Sequence, residues 1–290
     1  MSNYVIVTDS SCDLPGTLAR EMELAVVHLN VLVGERTFVN YLDWREIAAG
    51  DFYDLMRAEK PASTSAPSLG DFLQVMEPIL QAGQDILYLG FSSALSSTVN
   101  TGMLAADELR ERYPDRRILC LDTLCASLGQ GLLIRHVWEK KQAGATLEEA
   151  YDHARWLVSH LCHWFTVNDL HFLHRGGRVS KTTAVLGSAL QIKPVMHMDD
   201  EGRLTKLGTA RGRKTSLAAL KDHLKETILE PETQTIYISH GDCLEEAQYL
   251  AELVTREVPV KGVVFNHVGP VIGAHTGPGV IALFHIGEHR

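Results

Sequence analysis

The sequence predicts an α/β fold in two parts: an N-terminal α/β domain with a mainly parallel sheet over residues 1–162, and a C-terminal α+β domain with a mostly antiparallel sheet over residues 163–290. Three observations predict it. Apolar strand-type runs alternate with amphipathic helix-type runs through the first half, the pattern of βαβ units with helices on both faces of a sheet. From about Cys162 the rhythm changes to hairpins mixed with helices. No low-complexity linker or repeat separates the halves, so the two domains should pack closely.

The elements follow in order. YVIVTDS is a short buried-type strand running into a polar loop, and GTLAREMEL is helical. AVVHLNVLVG, DILYLGFSS and RRILCLDT, rich in Val, Ile, Leu or Tyr, read as strands. REIAAGDFYDLMRAE, LGDFLQVMEPILQAG, TVNTGMLAADELRERYP and LGQGLLIRHVWEKKQAG carry helical spacing between them. TLEEAYDHARWLVSHL opens on a T-x-x-E capping box at Thr146. CHWFTVND is then a strand, LHFLHRGGRVSK a helical turn ended by a double glycine, and KPVMHMDDEGRLTKLGTAR a hairpin turning at DDEG. GRKTSLAALKDHLKETI and CLEEAQYLAELVTREV are helices around the strand TQTIYISHGD. The last segment, VKGVVFNHVGPVIGAHTGPGVIALFHIG, reads as two strands joined by a glycine-rich loop.

Charge bounds the partners. The 27 Lys and Arg against 36 Asp and Glu leave a net −9, a poor balance for holding nucleic acid by bulk electrostatics. The start, MSNYVIVTDSS, lacks the basic and apolar regions of a signal peptide, and no apolar run approaches the roughly 20 residues that span a bilayer. A cytoplasmic protein with no transmembrane segment is expected. Five scattered cysteines without a CxxC pair read as free thiols. A zinc set of Cys162, His163 and His160 has a spacing that fits no common ligand pattern, so no metal is expected.

Four segments concentrate small polar residues where open α/β sheets place ligands. In VTDSSCDLP, Asp9, Ser10 and Ser11 can cap the next helix. In PASTSAPSLGDF, Ser68 and Asp71 form a capping box, which leaves Thr64 in a Pro-flanked loop free to point elsewhere. LGFSSALSSTVNTG is a serine-rich turn into a helix, where backbone N–H groups favour an anion; Ser96 either helps hold a carboxylate or phosphate or simply caps the helix. GPVIGAHTGPG is a glycine loop without the Gly-Lys-Ser/Thr of a P-loop, and His275 sits alone in it, structural or functional. Arg178, after a double glycine, can reach a buried anion or fix a histidine. Arg211, Arg213 and Lys214 gather ahead of a helix, either as a solvated face or as a docking surface for an acidic partner.

Taken together, VTDSSCDLP, TSAPS, SSALSSTVNTG, DTLCASLGQG, LHRGGRVSK, IKPVMHMDDEGRL, ARGRK and GPVIGAHTGPG resemble the DegV family of bacterial fatty-acid-binding proteins nearly end to end. The resemblance implies the same two-domain fold, a long-chain fatty acid held between the domains with its carboxylate inside, and no cofactor besides that ligand. It also implies a partner: some members serve a separate fatty-acid kinase that makes acyl phosphate for phospholipid synthesis. By motif, Thr64, Ser96, Arg178 and His275 match the carboxylate-binding positions, with Ser65, Ser97 and Gly273 as secondary contacts and Arg211, Arg213 and Lys214 as partner docking. This chain departs from the usual pattern at Ala66 (commonly glutamine), Ser97 (glycine) and Val99 (tyrosine).

The chemistry suits the implied ligand. A carboxylate is expensive to bury unless it is hydrogen-bonded and balanced by charge, and two hydroxyls, an imidazole and a guanidinium at the inner end of a greasy tunnel supply both. At about 0.8 kcal/mol per methylene, a tail of roughly 14 methylenes contributes around 11 kcal/mol of gross transfer free energy. Much of that offsets immobilisation. Two alternatives stand beside it. One is an esterase pairing Ser96 with His275, the imidazole oriented by Asp9 or Asp122, although GxSxG is absent. The other is a lipid-responsive regulatory protein. Monomer and transient membrane contact complete the expectations.

Overall fold

The computed structural model describes residues 3–168, 170–181 and 191–290. Two sheets carry the α/β architecture read from the sequence. The first is wholly parallel and four-stranded, ordered β2 (Ala25–Val27), β1 (Tyr4–Asp9), β6 (Asp85–Gly90) and β7 (Ile118–Asp122). Its two central strands, β1 and β6, are short and almost fully buried, as strands covered by helices on both faces must be, while β2 and β7 at the edges are partly buried. The covering helices are α1 (Gly16–Glu21), α3 (Leu69–Gln81), α4 (Thr98–Arg112), α5 (Ser127–Gln142) and α6 (Leu147–Val158). Capping boxes start two of them, Ser68 with Asp71 on α3 and Thr146 with Glu149 on α6.

The second sheet has six strands, ordered β10 (Leu204–Arg211), β9 (Ile192–Met198), β8 (Leu161–Thr166), β13 (Ile281–Ile286), β11 (Thr235–His240) and β12 (Gly262–His267). Every neighbouring pair is antiparallel except β11 and β12, which are joined by the crossover helix α9 (Leu244–Glu257). The β9–β10 hairpin turns at DDEG, where the Asp199 carboxylate accepts from the N–H groups of Glu201 and Arg203. Helices α8 (Arg213–Thr227) and α9 bury the outer face of this sheet through Trp164, Ile236, Ile238, Ile281 and Leu283. Its inner face packs toward α5 and the first sheet, in one core that runs across both.

Three expectations are corrected. AVVHLNVLVG is not one strand: β2 ends at Val27 and a separate β3 (Asn30–Val33) follows in another sheet. Leu29 N–H donates to Ser10 Oγ (3.0 Å) instead of to a strand, which breaks the ladder between two runs of equal hydrophobicity. PASTSAPS is not a loop throughout: β5 (Ala62–Ser65) pairs antiparallel with β3, and β4 (Arg36–Val39) pairs on the other side. Its small polar side chains gave no apolar alternation to detect. The glycine-rich segment between β12 and β13 is also not loop, because residues Pro270–Thr276 form helix α10, with proline at its first turn and Gly277 at φ +73° ending it. Its glycines lower helix propensity, and burial against β3, β5 and α2 (Ala49–Arg57) overrides that. Tyr53 of α2 donates to the Val268 carbonyl (2.7 Å), fastening the three-stranded excursion to the C-terminal half.

Candidate functional site

A cavity of about 240 Å³ lies between the inner face of the six-stranded sheet and the first sheet's loops, and its wall includes Thr64, Ser96, Arg178 and His275. Four distant segments deliver them. Alternation on β5 turns Thr64 inward and leaves Ser63 and Ser65 exposed. Ser96 ends the turn after β6, and His275 lies in the last turn of α10. Arg178 follows α7 (His171–Arg175) and its double glycine.

Thr64 Oγ1 and His275 Nε2 are 2.8 Å apart. Burial, and then the positive charges of Arg178 and Arg175, push the His275 pKa down to about 4, so the ring is neutral at pH 7. If Nε2–H donates to Thr64, the threonine proton is left to point into the cavity, and Nδ1, which has no partner among the described residues, is a bare lone pair. Gly176 explains the double glycine in part: a Cβ there would come within 2.2 Å of His275 Nδ1.

Arg178 is half-buried, which lowers its pKa, and its guanidinium donates to the Leu95 carbonyl from Nε (3.2 Å) and Nη2 (2.9 Å) and to the Gly176 carbonyl from Nη1. Two of its five N–H groups remain for an anion. Ser96 does two things at once. Its Oγ lies 2.8 Å from Thr98 Oγ1 and accepts from the Thr98 N–H (3.3 Å), the first of α4, while the residue still lines the cavity. Ser97 lines it too, at the exposed rim, whereas Ser65 and Gly273 do not: Ser65 faces solvent and Gly273 packs against Phe52 and Tyr53. The four matched residues are all only partly buried, and the wall beyond them is buried and mainly apolar, with Phe165, Ala282 and Phe284. The four matched residues therefore lie on the less buried part of the wall.

Among the described residues, no hydrolytic triad forms around Ser96. His275 Nε2 faces Thr64, Asp9 accepts from Ser11, Phe91 and Gln130, and Asp122 accepts from Ser93 and Leu124. Of the basic trio, Arg213 is engaged with Glu246 (2.8 Å) and the Gly279 carbonyl (2.6 Å), while Arg211 and Lys214 are exposed. Cys162 and His163 point to opposite faces of β8, and among the described residues no three His, Cys, Asp or Glu side chains are grouped to hold a metal. Among the described residues, no helix is long and apolar enough to cross a membrane. Sequence reasoning missed Ser127, His163 and Ser239 in the cavity wall; each sits in a strand or helix start where nothing in the local pattern marks it.

The two-sheet α/β scaffold thus encloses a mostly apolar cavity whose wall also carries hydrogen-bonding side chains, the usual make-up of a small-molecule site. The model of the DegV family, described as an uncharacterised protein family, matches residues 3–288. A DegV domain-containing protein of Clostridium perfringens is 40% identical over 290 residues, covering 100% of this chain and 99% of the relative. One of Lactococcus lactis is 33% identical, covering 98% and 97%. Among solved structures, a fatty-acid-binding DegV family protein from Thermus thermophilus superposes with a TM-score of 0.89 at 30% identity, covering 98% of this chain and 99% of that one. A DegV lipid-binding protein from Thermotoga maritima gives 0.85 at 27% identity, with both chains covered completely. This chain belongs to the DegV family.

Proposed function

We propose that this protein binds a long-chain fatty acid between its two domains, with Thr64, Ser96, Arg178 and His275 on the carboxylate, and presents it to a separate fatty-acid kinase for phosphorylation to acyl phosphate. The observation that carries the reading is the convergence of those four side chains, from four segments, on one end of an otherwise mainly apolar cavity. In this reading Thr64 donates to the carboxylate while His275 holds Thr64, Arg178 supplies charge and two N–H groups, and Ser96 adds a hydroxyl. The partly exposed position of the set suits presentation, because a phosphoryl donor on another protein must reach the carboxylate oxygen. The kinase would meet the exposed Arg211 and Lys214, with Arg213 bracing the loop from within. The protein itself acts in the cytoplasm as a carrier, without a cofactor, and feeds phospholipid synthesis.

Organic extraction of the purified protein followed by mass spectrometry of the released acids tests the ligand. Near-stoichiometric long-chain acid is expected; a preparation that neither carries nor takes up any such acid rules the reading out. Transfer of phosphate from ATP to the bound acid by an added fatty-acid kinase, reduced in Arg211→Glu, tests the presentation.

A further inference from the structure

The cavity wall carries hydrogen-bonding groups well away from the carboxylate end. Val280, just before β13, and Ala282 and Phe284 on it, at every second position, face the cavity. The strand register sets rungs across this surface: Ala282 stands opposite Ser239 of β11 and Phe165 of β8, and Phe284 stands opposite His163. Ser239 therefore occupies the middle rung and His163 the far one, about 7 Å further on at the usual strand rise.

Both groups offer lone pairs. Ser239 is fully buried, with its Oγ 3.2 Å from Ser127 Oγ, and Ser127 donates its single proton to Asp13 Oδ2 at 2.6 Å. A hydroxyl has one proton, so with Asp13 ionised the Ser127 proton serves Asp13, and the Ser239 hydroxyl, in contact with the Ser127 oxygen, donates to it and keeps its own lone pairs free. His163 Nδ1 lies 3.3 Å from the Leu161 carbonyl, an acceptor, so Nδ1 holds the proton and Nε2 is a buried acceptor without a partner among the described residues. Its ring edge rests on Gly129, where a Cβ would come within 2.2 Å of Nε2. A plain alkyl tail brings a hydrogen to neither.

We propose that this protein accepts long-chain acids bearing a mid-chain hydroxyl group as well as plain ones, the hydroxyl donating its hydrogen bond to Ser239 Oγ, and discriminates against the corresponding ketone. This rests on the fatty-acid reading above and specifies its ligand class. A wall apolar throughout would reject such a tail, because a hydroxyl buried without a partner is heavily penalised; a donor matched to Ser239 is not. A ketone at the same carbon, an acceptor facing acceptors, gains nothing.

The test is displacement of a fluorescent fatty acid by stearate, 10-hydroxystearate, 12-hydroxystearate and 10-ketostearate, on the wild-type protein, Ser239→Ala and Ser239→Val. It is run at pH 8, where Asp13, its pKa pushed up to about 7 by burial, is ionised and holds the Ser127 proton. At least one hydroxy acid should match stearate and exceed the ketone about tenfold, and both variants should keep stearate within about twofold while losing about tenfold for that hydroxy acid. Retained stearate binding in the variants also shows that they fold. Stearate bound tenfold better than both hydroxy acids by the wild type, or a hydroxy-to-stearate ratio unmoved by either substitution, overturns the proposal. Failure of every acid, stearate included, overturns the fatty-acid reading itself and is thereby distinguished. Ser127 is left in place because its loss would strip buried Asp13 of a donor.

Discussion

Thr64 Oγ1 and His275 Nε2, 211 residues apart in the chain, are held 2.8 Å apart in the wall of the cavity. One comes from an edge strand of a small sheet and the other from a short helix of the C-terminal half, so the bond spans the boundary across which the ligand is proposed to lie. In the proposed reading the imidazole aims the Thr64 hydroxyl at the carboxylate.

That relationship predicts strong coupling. Thr64→Val and His275→Ala should each weaken binding of palmitate by about 2 kcal/mol, roughly thirtyfold, the range for a hydrogen bond to a charged group. The double variant should be little worse than either single one, since both remove one unit. A cycle of dissociation constants checks this, and simple additivity would show that the two residues act separately.

Gly176→Ala should act at a distance from the ligand. Gly176 has an ordinary helical φ of −74°, so the backbone tolerates alanine, but the added methyl collides with His275 Nδ1. Displacing the ring breaks its bond to Thr64. Palmitate affinity should fall at least tenfold, with the melting temperature shifting by only a few degrees; a variant that binds normally would show that the ring can yield.

Filling the cavity should separate tail from head. Ala282 is 7% exposed and lies on the middle rung. Ala282→Phe should weaken palmitate at least tenfold while leaving octanoate nearly unchanged, because about 0.8 kcal/mol is lost for each methylene excluded. Isothermal titration over a series of acyl lengths reads the difference directly.

Buried titratable groups of opposite sign shape the pH dependence of stability. His285, 0% exposed, has its pKa lowered by burial to about 3; its contribution is complete above pH 6.5 and is lost as pH falls from there toward 3. Asp13 is pushed the other way, to about 7, so its contribution is complete below its ordinary value near 3.8 and is lost as pH rises toward 7. Asp13→Asn should therefore raise the melting temperature at pH 8 relative to wild type, by about 3 °C or more, and do so much less at pH 5. His285→Gln should flatten the decline between pH 6.5 and 4. Thermal melts across this range test both signs.

Much of the architecture is set by local pattern. The parallel strands of the first sheet, the capping boxes at Ser68 and Thr146, and the DDEG hairpin all depend on neighbours within a few residues, so periodicity and capping chemistry reveal them. What local pattern cannot carry is partnership. AVVHLNVLVG divides between two sheets because Ser10, 19 positions away, takes the Leu29 N–H. The β5 strand is polar enough to pass for a loop and is a strand because β3 offers it a ladder. Helix α10 forms despite its glycines because Phe52, Tyr53 and Val31 cover it.

The same division runs through the site. The resemblance of the ordered motifs to those of the DegV family is what points to Thr64, Ser96, Arg178 and His275. Only the tertiary structure decided that His275 addresses Thr64, that the four lie on the less buried part of the wall, that Arg213 is engaged internally, and that Ser239 and His163 interrupt the apolar wall. The reason is physical. Residue types and spacing determine which groups a segment can offer and on which face, whereas the distance between two offered groups depends on how strands register and helices pack, over hundreds of residues of intervening chain.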